Sequence, residues 1–228
     1  MARDPAAARR QTPAEIGESV GQQLRAHREE ARLSLRELAR RLEISPSALS
    51  QIETGKSRPS VSTLYAIVTE LGASLDELFG GIAGRGPAES ATTVRRATKA
   101  TPKPGGERLQ PSETRSTIQL ESGVRWERLT ATPDPAADFL YVVYDPGGSS
   151  SQADGFIRHA GREYGFLLGG RLEVTVGFDT YDLGPGDSIS FDSTTPHRLR
   201  NVGTEPAEGI WFVAGRGDDV RSAAFDGS

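Results

Sequence analysis

Nine residues between Ser34 and Arg58 have the chemistry of nucleic-acid recognition. Ser45, Ser47, Ser50 and Gln51 are short polar side chains on the outer face of one brief helical segment. Side chains of this kind can hydrogen-bond base edges in a major groove, and Gln51 can pair bidentately with adenine. Arg36, Arg40, Lys56 and Arg58 flank them and are candidates for phosphate contacts. Ser34 completes the set. A second group of reactive side chains lies far downstream. The chain has three histidines, His27, His159 and His197. His159 and Glu163 are four residues apart, which keeps both on one face if the segment stays extended, although Gly161 is placed to turn it. Glu163 with His197 could do acid–base work, but no further nucleophile or base constellation accompanies them.

The elements that must position the first group carry explicit start and stop signals. Ser34 with Glu37 forms a capping box, so a helix begins after Ser34. Leu35, Leu38, Ala39 and Leu42 recur at helical spacing and form one apolar face. Glu43-Ile44 is the turn. Ser45 is the next N-cap and Pro46 sits at N1, where its missing N–H costs nothing. Leu49 and Ile52 face back, and Gly55 supplies a stop. Two helices so joined make a helix-turn-helix. The run Leu35-x-x-Leu38-Ala39-x-x-Leu42-x-Ile44-Ser45, then Leu49-Ser50-x-Ile52-Glu53-x-Gly55, then Pro59-Ser60-x-x-Thr63-Leu64, resembles the phage-repressor-like (Cro/C1, XRE) helix-turn-helix family. The likeness covers roughly the first third of the chain.

Further caps frame this unit. Thr12-Pro13-Ala14-Glu15 is a capping box, and Ile16, Val20, Leu24 and Ala31 extend a first helix to about Arg32. Ser60 opens a fourth helix with core positions Leu64, Ile67, Val68 and Leu71, ended by Gly72. Ser74-Leu-Asp-Glu77 starts a short fifth helix through Phe79. Residues 12–80 are thus expected to form a five-helix, all-α DNA-binding domain, preceded by a disordered tail at 1–11.

Charge divides the chain. Residues 1–80 carry 11 Lys or Arg and 11 Asp or Glu, residues 81–107 carry 5 and 2, and residues 108–228 carry 11 and 18. The overall −4 is therefore a property of the C-terminal part and does not argue against DNA binding by the N-terminal part. There is no cysteine, hence no disulfide framework and no thiolate metal site. No apolar run approaches the ~18 residues of a membrane span, and the N-terminus has no secretory h-region. The expectation is a soluble cytoplasmic protein.

From Gly80 to about Glu107 periodicity disappears into Gly, Pro, Ala, Thr and Ser, the composition of a linker. After Arg108 come short alternating segments: 117–120, 124–129, 139–144, 164–168, 171–176, 188–191, 197–202 and 209–213. Gly184-Pro185-Gly186-Asp187 suits a type II turn. Many short strands at regular spacing mean a sandwich or barrel. Residues 216–228 are a polar tail. Gly155-x-x-x-His159-x-x-x-Glu163-x-x-x-x-x-Gly169, then Gly184-Pro185-Gly186-Asp187 and Pro196-His197-x-x-x-Asn201, are similar to the two motifs of the cupin family. The resemblance implies a double-stranded β-helix, a jelly-roll barrel, over residues 108–215. It also implies a metal site, in which His159, Glu163 and His197 match three of the four ligand positions and Ile157 occupies the fourth. Three protein ligands suffice for Zn, Ni, Mn or Fe in an open site. Otherwise the three form a hydrogen-bonded polar cluster that orients a small molecule. Gln152 and Asp154 lie close by, but nothing in the sequence makes them ligands. Tyr141, Phe156, Ile157 and Phe191 are candidate walls of an effector pocket around the cluster.

Together these readings describe a sequence-specific transcription regulator, a repressor, whose barrel senses a small effector. A neutral head cannot bind tightly alone, so a homodimer is expected, paired through the barrel, with the linker letting two heads reach half-sites about 34 Å apart. The alternatives are a metal-dependent cupin enzyme, a dioxygenase or isomerase, carrying a helix-turn-helix, or a constitutive DNA-binding protein whose barrel only dimerises.

Overall fold

The computed structural model describes residues 13–73, 75–80, 108–134, 136–151 and 155–215. Thr12, Ser74, Gln152, Asp154, the tails at 1–11 and 216–228 and the linker at 81–107 lie outside them. Five helices come first: α1 (Pro13–Glu30), α2 (Leu35–Arg41), α3 (Pro46–Glu53), α4 (Val61–Leu71) and α5 (Leu75–Gly80). The caps act as the sequence indicates. Ser34 Oγ accepts from the Glu37 N–H, Ser45 Oγ from Ala48 and Ser60 Oγ from Thr63, each at 3.1 Å. Gly72 closes α4 in the left-handed conformation. The α2–α3 turn runs through Glu43, which takes φ +56 without being glycine. Helix α1 stops at Glu30, two residues before the expected end, because Arg32 also turns left-handed.

Helix α1 clamps α3 by two means. At Gly21 a Cβ would lie 2.3 Å from the Ile52 carbonyl oxygen, so only glycine lets the two backbones come this close. Two turns further on, the buried Arg28 donates to both carboxylate oxygens of buried Glu53, at 2.6 and 2.9 Å, and to the Leu33 carbonyl at 2.8 Å. The fork geometry satisfies a carboxylate that has no water to turn to.

Nine antiparallel strands follow: β1 (Thr117–Gln119), β2 (Val124–Arg128), β3 (Ala137–Tyr144), β4 (Arg162–Gly169), β5 (Leu172–Val176), β6 (Asp179–Leu183), β7 (Ser188–Asp192), β8 (His197–Asn201) and β9 (Ala207–Ala214). They form a six-stranded sheet in the order β1-β2-β3-β9-β4-β7 and a three-stranded sheet, β6-β5-β8. This is the expected jelly-roll. Trp126, Leu140, Val142, Leu167 and Trp211 of the large sheet and Leu172, Val174 and Leu199 of the small one are buried. Gly186, at φ +92, and the Asp187 N–H to Gly184 O bond of 3.0 Å complete the turn before β7. Strand β6 was not expected. Its sequence Asp-Thr-Tyr-Asp-Leu has one buried residue in five, so no alternation announces it. Among the described residues, no helix is long and apolar enough to cross a membrane.

The helical head packs directly on the barrel. The Ser62 N–H, in the first turn of α4, donates to the Ser150 carbonyl at 3.1 Å, and the Glu121 N–H donates to the Pro59 carbonyl at 2.9 Å. Tyr65 of α4 packs between Trp126 and His159. Helix α4 is consequently buried on two sides. Leu64, Ile67 and Val68 serve the head, and Val61 and Tyr65 serve the barrel.

Removing the guanidinium from the α1–α3 clamp strands a buried carboxylate. Arg28→Ala is expected to lower the unfolding free energy by about 3–5 kcal/mol in urea denaturation of the full chain, and Arg28→Met with Glu53→Leu should recover most of that loss. A loss below about 1 kcal/mol for Arg28→Ala would show that the pair does not hold α1 to α3.

Candidate functional site

Glu163 is the second residue of β4 and points into the barrel, as do Gly165 and Leu167 after it. His197 opens β8 and is fully buried. Residue Ile157 bridges to it through two backbone hydrogen bonds of 2.9 and 3.0 Å. The chain then turns at Gly161, with φ +105, so the stretch from His159 to Glu163 is not a continuous strand. The turn nevertheless brings His159 onto the same point. His159 Nε2 lies 2.8 Å from Glu163 Oε1, and His197 Nε2 lies 3.0 Å from the same oxygen.

The protonation of the two imidazoles follows from their other nitrogens. His159 Nδ1 lies 3.0 Å from the Ala160 carbonyl oxygen, and His197 Nδ1 lies 2.9 Å from that of Thr195. A carbonyl only accepts, so each Nδ1 carries the proton. In a neutral ring the Nε2 then presents a lone pair. Both lone pairs face Glu163 Oε1, and none of these three buried atoms has a hydrogen bond of good geometry. Burial pushes the Glu163 carboxyl up, and only positive charge and donated hydrogen bonds from the two imidazoles would hold it well below the usual carboxylate range; with both Nε2 atoms unprotonated that charge has to come from elsewhere. The three ligand atoms lie mutually within 4.8 Å, and with both Nε2 atoms unprotonated they converge as acceptors that a shared proton or a metal ion would satisfy. Two imidazoles and a carboxylate with their second positions already bonded are a donor set that suits a divalent transition metal.

The outer support is equally specific. The Trp211 Nε1–H donates to Glu163 Oε2 at 2.7 Å and fixes the carboxylate. The indole reaches that position because residue 165 is glycine: a Cβ there would sit 2.2 Å from the ring. Neither Trp211 nor Gly165 was singled out by the sequence. A tryptophan in an apolar strand reads as core until its cross-strand partner is known.

Four residues were proposed as walls, and the structure separates them. Ile157 and Phe191 are buried at the cluster, with the Phe191 ring 4.9 Å from that of His197. Tyr141 faces away: its neighbours Leu140 and Val142 point inward, and its own hydroxyl donates to Glu208 on the outer surface. Phe156 is exposed beneath Arg198, outside the barrel. Strand alternation puts Tyr141 outside once Leu140 is inside, and Phe156 precedes the bridging residue Ile157. The space beside the cluster is a cavity of about 20 Å³ lined by Val61, Tyr65, Trp126, Tyr144, Ile157 and Trp211 among others. A cleft of about 320 Å³ lies on the other side of Tyr65, between Leu42, Ile44, Ser62, Thr63 and Ala66 of the head and Phe156, Ile157 and Arg158 of the barrel.

On the head, Ser45, Ser47 and Gln51 are exposed on α3 and Ser50 is half-buried. The Ser45 hydroxyl is engaged as the cap and lies 3.0 Å from Ser47 Oγ, and Ser34 caps α2. Arg36, Lys56 and Arg58 are exposed with no carboxylate partner among the described residues. Arg40 differs. It shares Glu37 with Arg41, and the two guanidiniums hold that carboxyl down at about 2. Arg40 must leave this pair to reach a phosphate.

Residues 24–78 match the helix-turn-helix family HTH_3, and residues 140–213 match the cupin domain family Cupin_2. The chain is 26% identical over 188 residues to the HTH-type transcriptional regulator PuuR of Escherichia coli K12, covering 82% of this chain and 89% of that protein. PuuR of Shigella flexneri gives the same figures. An HTH_3 family transcriptional regulator from Vibrio cholerae, solved by crystallography, shares the fold with a TM-score of 0.59 at 22% identity, over 89% of this chain and 98% of that one. With its head, its barrel and both matches in the same order, this chain carries a helix-turn-helix domain followed by a cupin domain and is similar over most of its length to an HTH-type transcriptional regulator.

Proposed function

We propose that the protein is a homodimeric, sequence-specific repressor whose barrel binds a divalent cation and reports a small effector to the DNA-reading head. The observation that carries the reading is the double duty of one helical unit. Helix α3 leaves its polar face to solvent, while α4 of the same head rests on the barrel at the His159–Glu163–His197 cluster. Zn, Ni, Mn or Fe would be held by His159 Nε2, Glu163 Oε1 and His197 Nε2, with Trp211 orienting the carboxylate. Such an ion would supply a Lewis-acidic point for an oxygen or nitrogen of the effector. Residue Ile157 gives the site an apolar side. A sensing role suits the cluster because a ligand larger than an ion can enter its cavity of about 20 Å³ only by displacing the docked head, and that displacement is the signal the head would receive.

Dimerisation is assigned to the outer face of the large sheet. Rows of cross-strand neighbours cover it: Phe139, Phe212 and Tyr164 in one, Tyr141, Ile210 and Phe166 in the next. Phe139, Tyr164, Phe166, Leu168 and Phe212 are between 37% and 48% exposed. A contiguous apolar face of this kind is unusual on a monomer. A second copy is the occupant that a head without net charge requires.

Three measurements test the reading. Gln51→Ala should weaken binding to the preferred operator by about 1–3 kcal/mol and relax preference at one base pair, whereas Arg58→Ala should weaken binding to all sequences and flatten the salt dependence. Unchanged base preference in Gln51→Ala would mean that α3 is not the reading helix. Calorimetry with Ni²⁺ should show one ion per chain, lost in His197→Ala and bound roughly 10–100-fold more weakly in Trp211→Phe. Uptake unaffected by His197→Ala would place the ion elsewhere. In light scattering the full chain should be a dimer and Phe166→Asp a monomer; a Phe166→Asp dimer would remove the large sheet from the interface.

A further inference from the structure

The barrel's cation site is closed by a side chain that belongs to the DNA-binding head. The Tyr65 ring stacks on the His159 imidazole at 4.2 Å between centroids, with only 17° between planes, and its other neighbour is Trp126 at 5.6 Å. Tyr65 also lines both cavities near the cluster, the inner one of about 20 Å³ and the outer cleft of about 320 Å³. Ile157 of the barrel lines both as well, so the partition between them is Tyr65 from the head set against Ile157. A volume of about 20 Å³ admits one water or one ion and nothing larger.

We infer that Tyr65 is the gate of the site, and that any effector larger than a single ion reaches His159, Glu163 and His197 from the outer cleft only when α4 lifts off the barrel. The ring has no separate escape. It is wedged between an indole and an imidazole, and its helix is fastened at the first turn by the Ser62 N–H to Ser150 carbonyl bond. Lifting α4 also moves the reading helix, because α3 and α4 share the buried core of the head, Leu49 and Ile52 with Leu64 and Ile67. Ligand access and the placement of the DNA-reading face are then one event. An effector stabilises the lifted state by as much as it binds that state better than the docked one. The inference deepens the sensor reading and rests on it for its biological sense. Its test is run on the full chain freed of metal with a chelator, because an ion on His159 Nε2 would itself block the reagent; it then reads only access to His159 and stands or falls separately from metal uptake and operator binding.

The probe is diethyl pyrocarbonate on the full chain, mapped by mass spectrometry. Only three histidines exist, and His27 on α1 is the internal control. In the parent and in Tyr65→Phe, His159 should be modified at least 10-fold more slowly than His27. In Tyr65→Ala, checked for folding by circular dichroism, His159 should react at least 10-fold faster than in the parent while His27 is unchanged. Should Tyr65→Ala fail to fold, Tyr65→Leu takes its place, keeping apolar bulk against Trp126 but no flat ring over His159. Hydrogen exchange at the Ser62 amide should accelerate in the same variant. Equal His159 rates in parent and variant would overturn the gate. A reactive His159 with an unchanged Ser62 amide would overturn its coupling to α4.

Discussion

Three buried acceptors meet at one point in this molecule, and much of the barrel exists to keep them there. Two backbone carbonyls fix the tautomers of His159 and His197. An indole fixes the carboxylate of Glu163, and a glycine makes space for the indole. Each of these groups answers a need created by the one before it. Left without a positive partner, the arrangement would repel itself in a medium too poor in water to screen it. The need for a positive partner, a shared proton or an ion, is therefore a constraint on the fold as much as a feature of the site.

The head is organised by a different constraint, the need to hold a short helix rigid while leaving one face bare. Helix α3 has eight residues, too few to be stable by propensity. It borrows stability from a proline and a serine at its start, from Leu49 and Ile52 beneath it, and from the Arg28–Glu53 fork at its end. The apolar and ion-pair contacts come from buried residues, whereas Gln51 is exposed. The exposed face around Gln51 can change its side chains without disturbing what holds the helix, except at Ser45, whose hydroxyl is the cap.

The sequence made the local devices legible. Serine caps, the proline at N1, the Gly-Pro-Gly-Asp turn and the periodic apolar faces each act over a few residues, and the observed elements follow them closely. His159, Glu163 and His197 were recognisable by type and motif. What escaped was decided across long distances in the chain. Trp211 supports Glu163 from 48 positions away, and Arg28 meets Glu53 from 25. Tyr65 sits among core residues of α4, and nothing in its own neighbourhood says that a barrel more than fifty residues downstream will receive it. The one available hint is breadth. Val61 and Tyr65, one turn apart, widen the apolar stripe of α4 beyond what a single core needs.

Strand β6 carries a consequence of its own. It is the free edge of the small sheet, the kind of edge that invites another chain to add a strand. Its two aspartates and the absence of alternation, which hid it from the sequence, make it a poor template for such addition. Two barrels meeting edge to edge would bring Asp179 of each toward the other, with Asp182 already engaged by Arg171. Pairing into a continuous sheet, and aggregation through this edge, are discouraged by the same residues that end the fold there.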